Sequence, residues 1–124
     1  MEFKMINVLA LAYLGDSIYE VYVRKYLLEK GISKVQELQK EAISYVSAKN
    51  QSAFLHDMID QNFLSEEELE IVRRARNHKG NRHPKNTDIV TYKESTGLEA
   101  LIGYLELKED HERIEQVMKF ILGE

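Results

Sequence analysis

The sequence predicts an all-α domain, and three observations predict it. Apolar residues recur at helical steps of three and four and show no two-residue alternation. Proline occurs once in 124 residues, at Pro84, so long helices are permitted almost everywhere. Two segments, Ser33-Lys-Val-Gln36 and Ser65-Glu-Glu-Glu68, carry the spacing of a capping box, in which a serine and an acid or amide three residues on satisfy each other's backbone amides. Between Ile6 and Leu28 the residues Leu11, Leu14, Ile18, Val21 and Leu28 mark a first helix, which Gly31 stops. The Ser33 box opens a second, carrying Val35, Leu38, Ala42, Ile43 and Val46. A third runs from about Ser47 to Asp60 with Phe54, Leu55, Met58 and Ile59. The Ser65 box opens a fourth, acidic where the helix dipole favours acids and ending in Arg73, Arg74 and Arg76 where it favours cations. An irregular stretch from Asn77 to Asp88 follows; a fifth helix resumes by about Tyr92 and runs to Leu107. The last contains Ile114, Val117, Met118 and Ile121. The expectation is a bundle of about six to seven helices in one domain over residues 1–124, with no repeat and no linker-like stretch.

Composition narrows the function. At 44% hydrophobic and 31% charged, the chain has a real core and a wet surface. The absence of cysteine excludes disulfide scaffolds, thiolate zinc sites and cysteine nucleophiles, and fits a reducing cytoplasm. The longest wholly apolar stretch, Val8 to Leu14, is far short of a membrane span. The opening Met-Glu-Phe-Lys-Met lacks the basic-then-apolar order of a signal peptide. The net charge of −4 hides a strong asymmetry: between Ile71 and Thr87 lie Arg73, Arg74, Arg76, Lys79, Arg82 and Lys85, with His78 and His83 and no carboxylate. A cationic segment in an acidic body suits a polyanion. It also suits a solvated helix end, and charge alone leaves both readings open.

Two acids lie in unusually apolar company. Asp16 sits in Leu14-Gly-Asp-Ser-Ile-Tyr-Glu20 and Glu99 in Thr96-Gly-Leu-Glu-Ala-Leu-Ile-Gly103. A carboxylate on a core-facing helix costs several kcal/mol unless it is paired, hydrogen-bonded or bound to metal. Gly15 and Gly97 each cost about 1 kcal/mol against alanine in a helix, and both permit close approach of a second helix. On composition alone the commoner account of such acids is a salt bridge to Arg24 or Lys93, or half exposure at a helix edge, since structural ion pairs outnumber catalytic ones. Glu20, one turn after Asp16, either extends a metal site or pairs with Arg24. His56-Asp57 spells the dyad of HD phosphohydrolases, but no histidine precedes it, so an exposed helix pair is the reading. Tyr13, Tyr19, Tyr22 and Tyr26 on the first helix read as core and interface residues before base-stacking ones.

The segments around Asp16 and Glu99 resemble the two signature segments of the ribonuclease III catalytic domain. Leu9 to Arg24, Tyr45-Val-Ser-Ala-Lys49, Arg73-Arg-Ala-Arg-Asn77 and Pro84-Lys-Asn-Thr-Asp88 resemble more closely its small bacterial branch, Mini-ribonuclease III, which lacks the double-stranded-RNA-binding domain. The likeness extends from about Leu9 to Leu107. It implies an all-helical homodimer in the cytoplasm that cuts both strands of double-stranded RNA with Mg2+, Mn2+ substituting, and that matures the ends of large-subunit (23S) ribosomal RNA precursor. It implies that Asp16 and Glu99 are the catalytic, metal-holding pair, and it favours the basic segment (Arg73, Arg74, Arg76, Lys79, Arg82, Lys85) as the RNA-binding one. Larger members carry further acids at the places of Leu9, Ala12 and Thr96, so one ion with mostly water ligands is expected, with Thr96 offering a water-mediated contact. Magnesium accepts such a site, since one or two carboxylates with waters and phosphate suffice. The other function class the same residues allow is a catalytically inactive helical RNA-binding module.

Overall fold

Asn7 starts the first long helix: its side-chain oxygen accepts from the Leu9 amide at 2.8 Å, two residues later than the apolar pattern begins. In a computed structural model of the chain, residues 3–79 and 88–123 are described. After a short 3-10 turn at Phe3–Met5 come α1 (Val8–Glu29), α2 (Val35–Val46), α3 (Ala48–Asp60), α4 (Glu66–Arg76), α5 (Ile89–Leu107) and α6 (His111–Leu122). Among the described residues no strand is present, so the all-α expectation holds.

The local signals fare unevenly. Gly31 ends α1 with φ +94°, the left-handed conformation that only glycine adopts freely. The Ser65–Glu68 capping box forms in both directions, Ser65 N to Glu68 Oε1 at 2.9 Å and Glu68 N to Ser65 Oγ at 3.2 Å. The Ser33 box does not form: α2 starts at Val35 behind Lys34, which makes no side-chain cap, so Gln36 falls one position short of the reciprocal place. Helix α5 begins three residues before Tyr92, because Asp88 caps it by accepting from Val90 N at 3.0 Å and from Thr91 Oγ1 at 2.6 Å.

Helix α5 is the axis of the fold. From Glu94 to Leu105 every residue but Glu99 is buried, and α1, α3, α4 and α6 all pack on this helix. A helix buried all round belongs at the centre of a bundle. The apolar face of α1 is not the one its spacing suggested. Val8, Leu11, Ala12, Tyr19, Val23 and Leu27 are buried, whereas Val21 and Leu28 stand 50% and 55% exposed. Tyr19 can take a core position because its hydroxyl donates to the Tyr45 carbonyl at 2.5 Å. Helix α2 contributes no fully buried residue and leaves Val35 and Ile43 in solvent. Helix α6 is tied down by Arg113, which grips both Glu68 oxygens at 2.8 Å and donates to the Phe63 carbonyl at 2.7 Å.

Candidate active site

Glycine brings the two signature acids together. A Cβ on Gly15 would lie 1.7 Å from the Glu99 carbonyl oxygen, and one on Gly103 would lie 1.9 Å from the Leu11 carbonyl oxygen. At this crossing α1 and α5 therefore touch backbone to backbone, closer than any side chain allows. Asp16 follows Gly15 directly and Glu99 precedes Gly103 by one turn, so their carboxyl groups lie close enough to interact. Gly97 serves a different contact, against Val72 of α4, where a Cβ would meet Val72 Cγ1 at 3.1 Å. Gly103, not Gly97, is the partner of Gly15; both glycines are legible in sequence, but which faces which is not.

The electrostatics of the pair disfavour two negative charges. Burial pushes the Glu99 carboxyl up to about 8; the charge of Asp16, a hydrogen bond with Asp16 and the charge of Glu20 add to the rise, while Gln51 opposes it. Two acids side by side, one of them half-buried, cannot both ionise cheaply unless a positive charge lies between them. Asp16 is exposed and Glu99 half-buried, so the pair opens to solvent at the crossing. Arg24, a candidate partner for Asp16 by spacing, pairs with Glu20 instead, Nη2 to Oε2 at 3.1 Å. Among the described residues no group of three or more His, Cys, Asp or Glu stands close enough together to hold a metal ion. The Thr96 hydroxyl is buried and donates to the Tyr92 carbonyl at 3.0 Å.

Gln51 of α3 lies beside Glu99, and no motif in the sequence singles it out. Its side chain is 2% exposed and faces both the Glu99 carboxyl and the Tyr19 hydroxyl, yet its Nε2 closes no hydrogen bond of good geometry. The available signal was a polar residue at the head of the buried stripe Gln51, Leu55, Met58. Tyr19, enclosed beside it, has its hydroxyl pushed well above the ordinary tyrosine value, first by burial and then by Glu99.

The cationic segment is only partly in view. Arg73, Arg74 and Arg76 form the end of α4. Arg73 pairs with Glu70 at 2.5 Å, and Arg74 Nη2 donates to the Ile6 carbonyl at 3.4 Å, tying this end of α4 to the start of α1. Arg76 and Lys79 are exposed. Arg82 and Lys85 lie outside the described residues. His56 and Asp57 are both exposed, as an exposed helix pair should be, and His56 also pairs with the buried Glu94 of α5.

The model of the ribonuclease III domain matches residues 9–110. The Mini-ribonuclease 3 of Desulfitobacterium hafniense is 49% identical over 119 residues, covering 93% of this chain and 74% of that protein. That of Streptococcus pneumoniae is 41% identical over 122 residues, covering 98% and 95%. A crystal structure of a Fusobacterium nucleatum protein superposes with a TM-score of 0.84 at 36% identity, covering 96% of this chain and 93% of that one.

Proposed function

The chain belongs to the ribonuclease III family, and from that premise we propose that it is an endoribonuclease cutting double-stranded RNA with a divalent cation, Mg2+ or Mn2+, held by Asp16 and Glu99. The observation that carries the reading is the contact of Gly15 with α5, which sets two carboxyl groups together at a solvent-facing crossing. The donor set suits a hard cation: oxygen ligands only, two of them anionic, with room for water. When bound, such an ion lowers the pKa of a water and neutralises charge on a phosphate in line for displacement.

The chain's own groups do the rest. Asp16 stands exposed where a backbone phosphate can approach, and Glu99 is held half-buried behind it. Arg76 and Lys79, with Arg73, Arg74 and the two cations outside the described residues, Arg82 and Lys85, supply positive charge for phosphates on either side of the cut. Duplex RNA demands contact along a surface more than base reading, because its major groove is closed to side chains.

A homodimer fits the same reading, since two identical sites related by a two-fold axis match the two strands of a duplex. Val21, Leu28, Val35 and Ile43 stand exposed on α1 and α2, beside a cleft of about 430 Å³ lined by Leu27, Leu38 and Val46, and supply an apolar face for it. Likeness to the small branch extends the proposal to a cytoplasmic enzyme that matures the ends of 23S ribosomal RNA precursor.

The test is cleavage of plain duplex RNA by the purified protein, with and without Mg2+, beside single-stranded RNA. Asp16→Asn and Glu99→Gln should each stop cleavage while leaving duplex binding in place. Full cleavage by either variant at matched Mg2+ overturns the assignment. Binding without any metal-dependent cut by the parent leaves the inactive RNA-binding module as the function.

A further inference from the structure

Helix α3 turns Gln51, Leu55 and Met58 inward at spacings of four and three. Among apolar neighbours a glutamine is costly: its amide has given up water, and Nε2 closes no hydrogen bond in return. Leucine or methionine would fill the same space without that loss. The amide nevertheless lies between two polar groups of the site, the Tyr19 hydroxyl and the Glu99 carboxyl. The Tyr19 ring is fully buried and its proton is committed to the Tyr45 carbonyl, so towards Gln51 it presents only an acceptor oxygen. A polar line thus runs from the Tyr45 carbonyl through Tyr19, Gln51 and Glu99 to Asp16 at the surface.

We infer that Gln51 is a positioning residue for the divalent-cation site: its buried amide, packed behind Glu99, holds that carboxyl in the orientation in which it faces an ion beside Asp16. The inference rests on the cation reading of Asp16 and Glu99. An amide meets the requirement where other residues do not. It is neutral, so it adds no third negative charge beside the two acids, and its Nε2 is a donor from which Glu99 can accept once ionised by a bound cation. A carboxylate that binds metal through one oxygen needs a donor elsewhere to fix its rotation, and such outer partners govern affinity without touching the ion. The stability cost of the unmatched amide then has a functional reason.

Gln51→Met tests this, keeping the length and helix propensity of the side chain while removing the amide. Three quantities are read on the full chain: Mn2+ affinity by titration calorimetry, melting temperature in chelator, and the Mg2+ dependence of duplex cleavage. The expected result is a melting temperature no lower than the parent's, with Mn2+ bound roughly 10- to 100-fold more weakly. Half-saturating Mg2+ for cleavage should rise by the same factor while KM for RNA stays within about twofold. A purely structural glutamine would not move stability and metal affinity in opposite directions. Mn2+ affinity within about threefold of the parent's overturns the inference, as does a loss of affinity that only tracks a lower melting temperature. Gln51→Leu is read by the same criteria should the methionine variant fail to fold. Glu99→Gln run alongside separates the two layers. If it abolishes Mn2+ binding while Gln51→Met binds within about threefold of the parent, the positioning role alone falls. If the parent binds no Mn2+, or Glu99→Gln binds as the parent does, the cation site falls and the role of Gln51 with it.

Discussion

Replacing Glu99 by glutamine should stabilise the cation-free protein at neutral pH while ending cleavage. Burial first, and the charge of Asp16 second, hold the Glu99 carboxyl at about 8, against an ordinary value of 4.5. At pH 7 the folded chain therefore keeps a proton that the unfolded chain has released, and folding must take it up from a solution about 2.5 pH units above the unfolded pKa. At about 1.36 kcal/mol per unit this costs roughly 3 kcal/mol, an upper figure because half-buried Glu99 keeps some contact with water. Glutamine removes the cost. The native state binds more protons than the unfolded state between about 4.5 and about 8, so the parent's stability falls as pH rises through that window. The gain from Glu99→Gln should accordingly be under about 1 kcal/mol at pH 5 and roughly 3 kcal/mol at pH 7. Urea unfolding in chelator at the two pH values measures it; in a chain of this length the larger gain is worth about 10 °C in melting temperature. Saturating Mg2+ should reverse the order, since only the parent gains binding free energy from the ion. A gain equal at both pH values, or a loss at pH 7, refutes the electrostatic account of the pair.

Three other outcomes follow from the same packing. Gly15→Ala and Gly103→Ala each drive a methyl into the facing backbone and should cost about 3 kcal/mol or more, with cleavage falling in parallel; Gly97→Ala, against the side chain and carbonyl of Val72, should stay within about 1 kcal/mol, all three read by thermal melts and duplex cleavage. Arg113→Met strands Glu68 without its grip and should cost about 3 kcal/mol at pH 7. Burial raises the Glu68 carboxyl, but hydrogen bonds from Arg113 and Ser65 outweigh it and leave it below its ordinary value, so that stabilisation is lost as pH falls through the carboxylate range. The deficit of Arg113→Met should therefore shrink between pH 7 and pH 4 in urea titrations, and a constant deficit would assign the effect to the packing of Arg113 over Phe63. Arg76→Gln with Lys79→Gln should weaken duplex RNA binding and flatten its salt dependence by about one unit of log–log slope for each phosphate no longer neutralised; an unchanged slope removes this end of α4 from the RNA surface.

Much of the architecture was legible residue by residue because its causes are local. Helical spacing, the Ser65–Glu68 box and the stop at Gly31 are each set by a few neighbours in the chain, and each is present in the folded protein. The Ser33 box failed for an equally local reason, a one-residue shift of the helix start, while Asp88 went unread as a cap because the irregular stretch before it hid the boundary. The face of α1 was misread because Val21 and Tyr19 compete for the interior, and spacing alone cannot know that the Tyr45 carbonyl waits to accept the tyrosine's proton.

The site divides along the same line. Asp16 and Glu99 stood out in the sequence because a lone acid among apolar helix residues needs a partner, whatever that partner is. That they are each other's neighbour, with Gln51 behind Glu99 and Arg24 claimed by Glu20, is a fact of three dimensions. By itself the sequence determined the helices, their order and the identity of the acids, since these depend on propensity, capping and the expense of a buried charge. Only the packed bundle decided which glycines meet, because contact between helices about eighty residues apart is chosen by shape and burial across the whole chain.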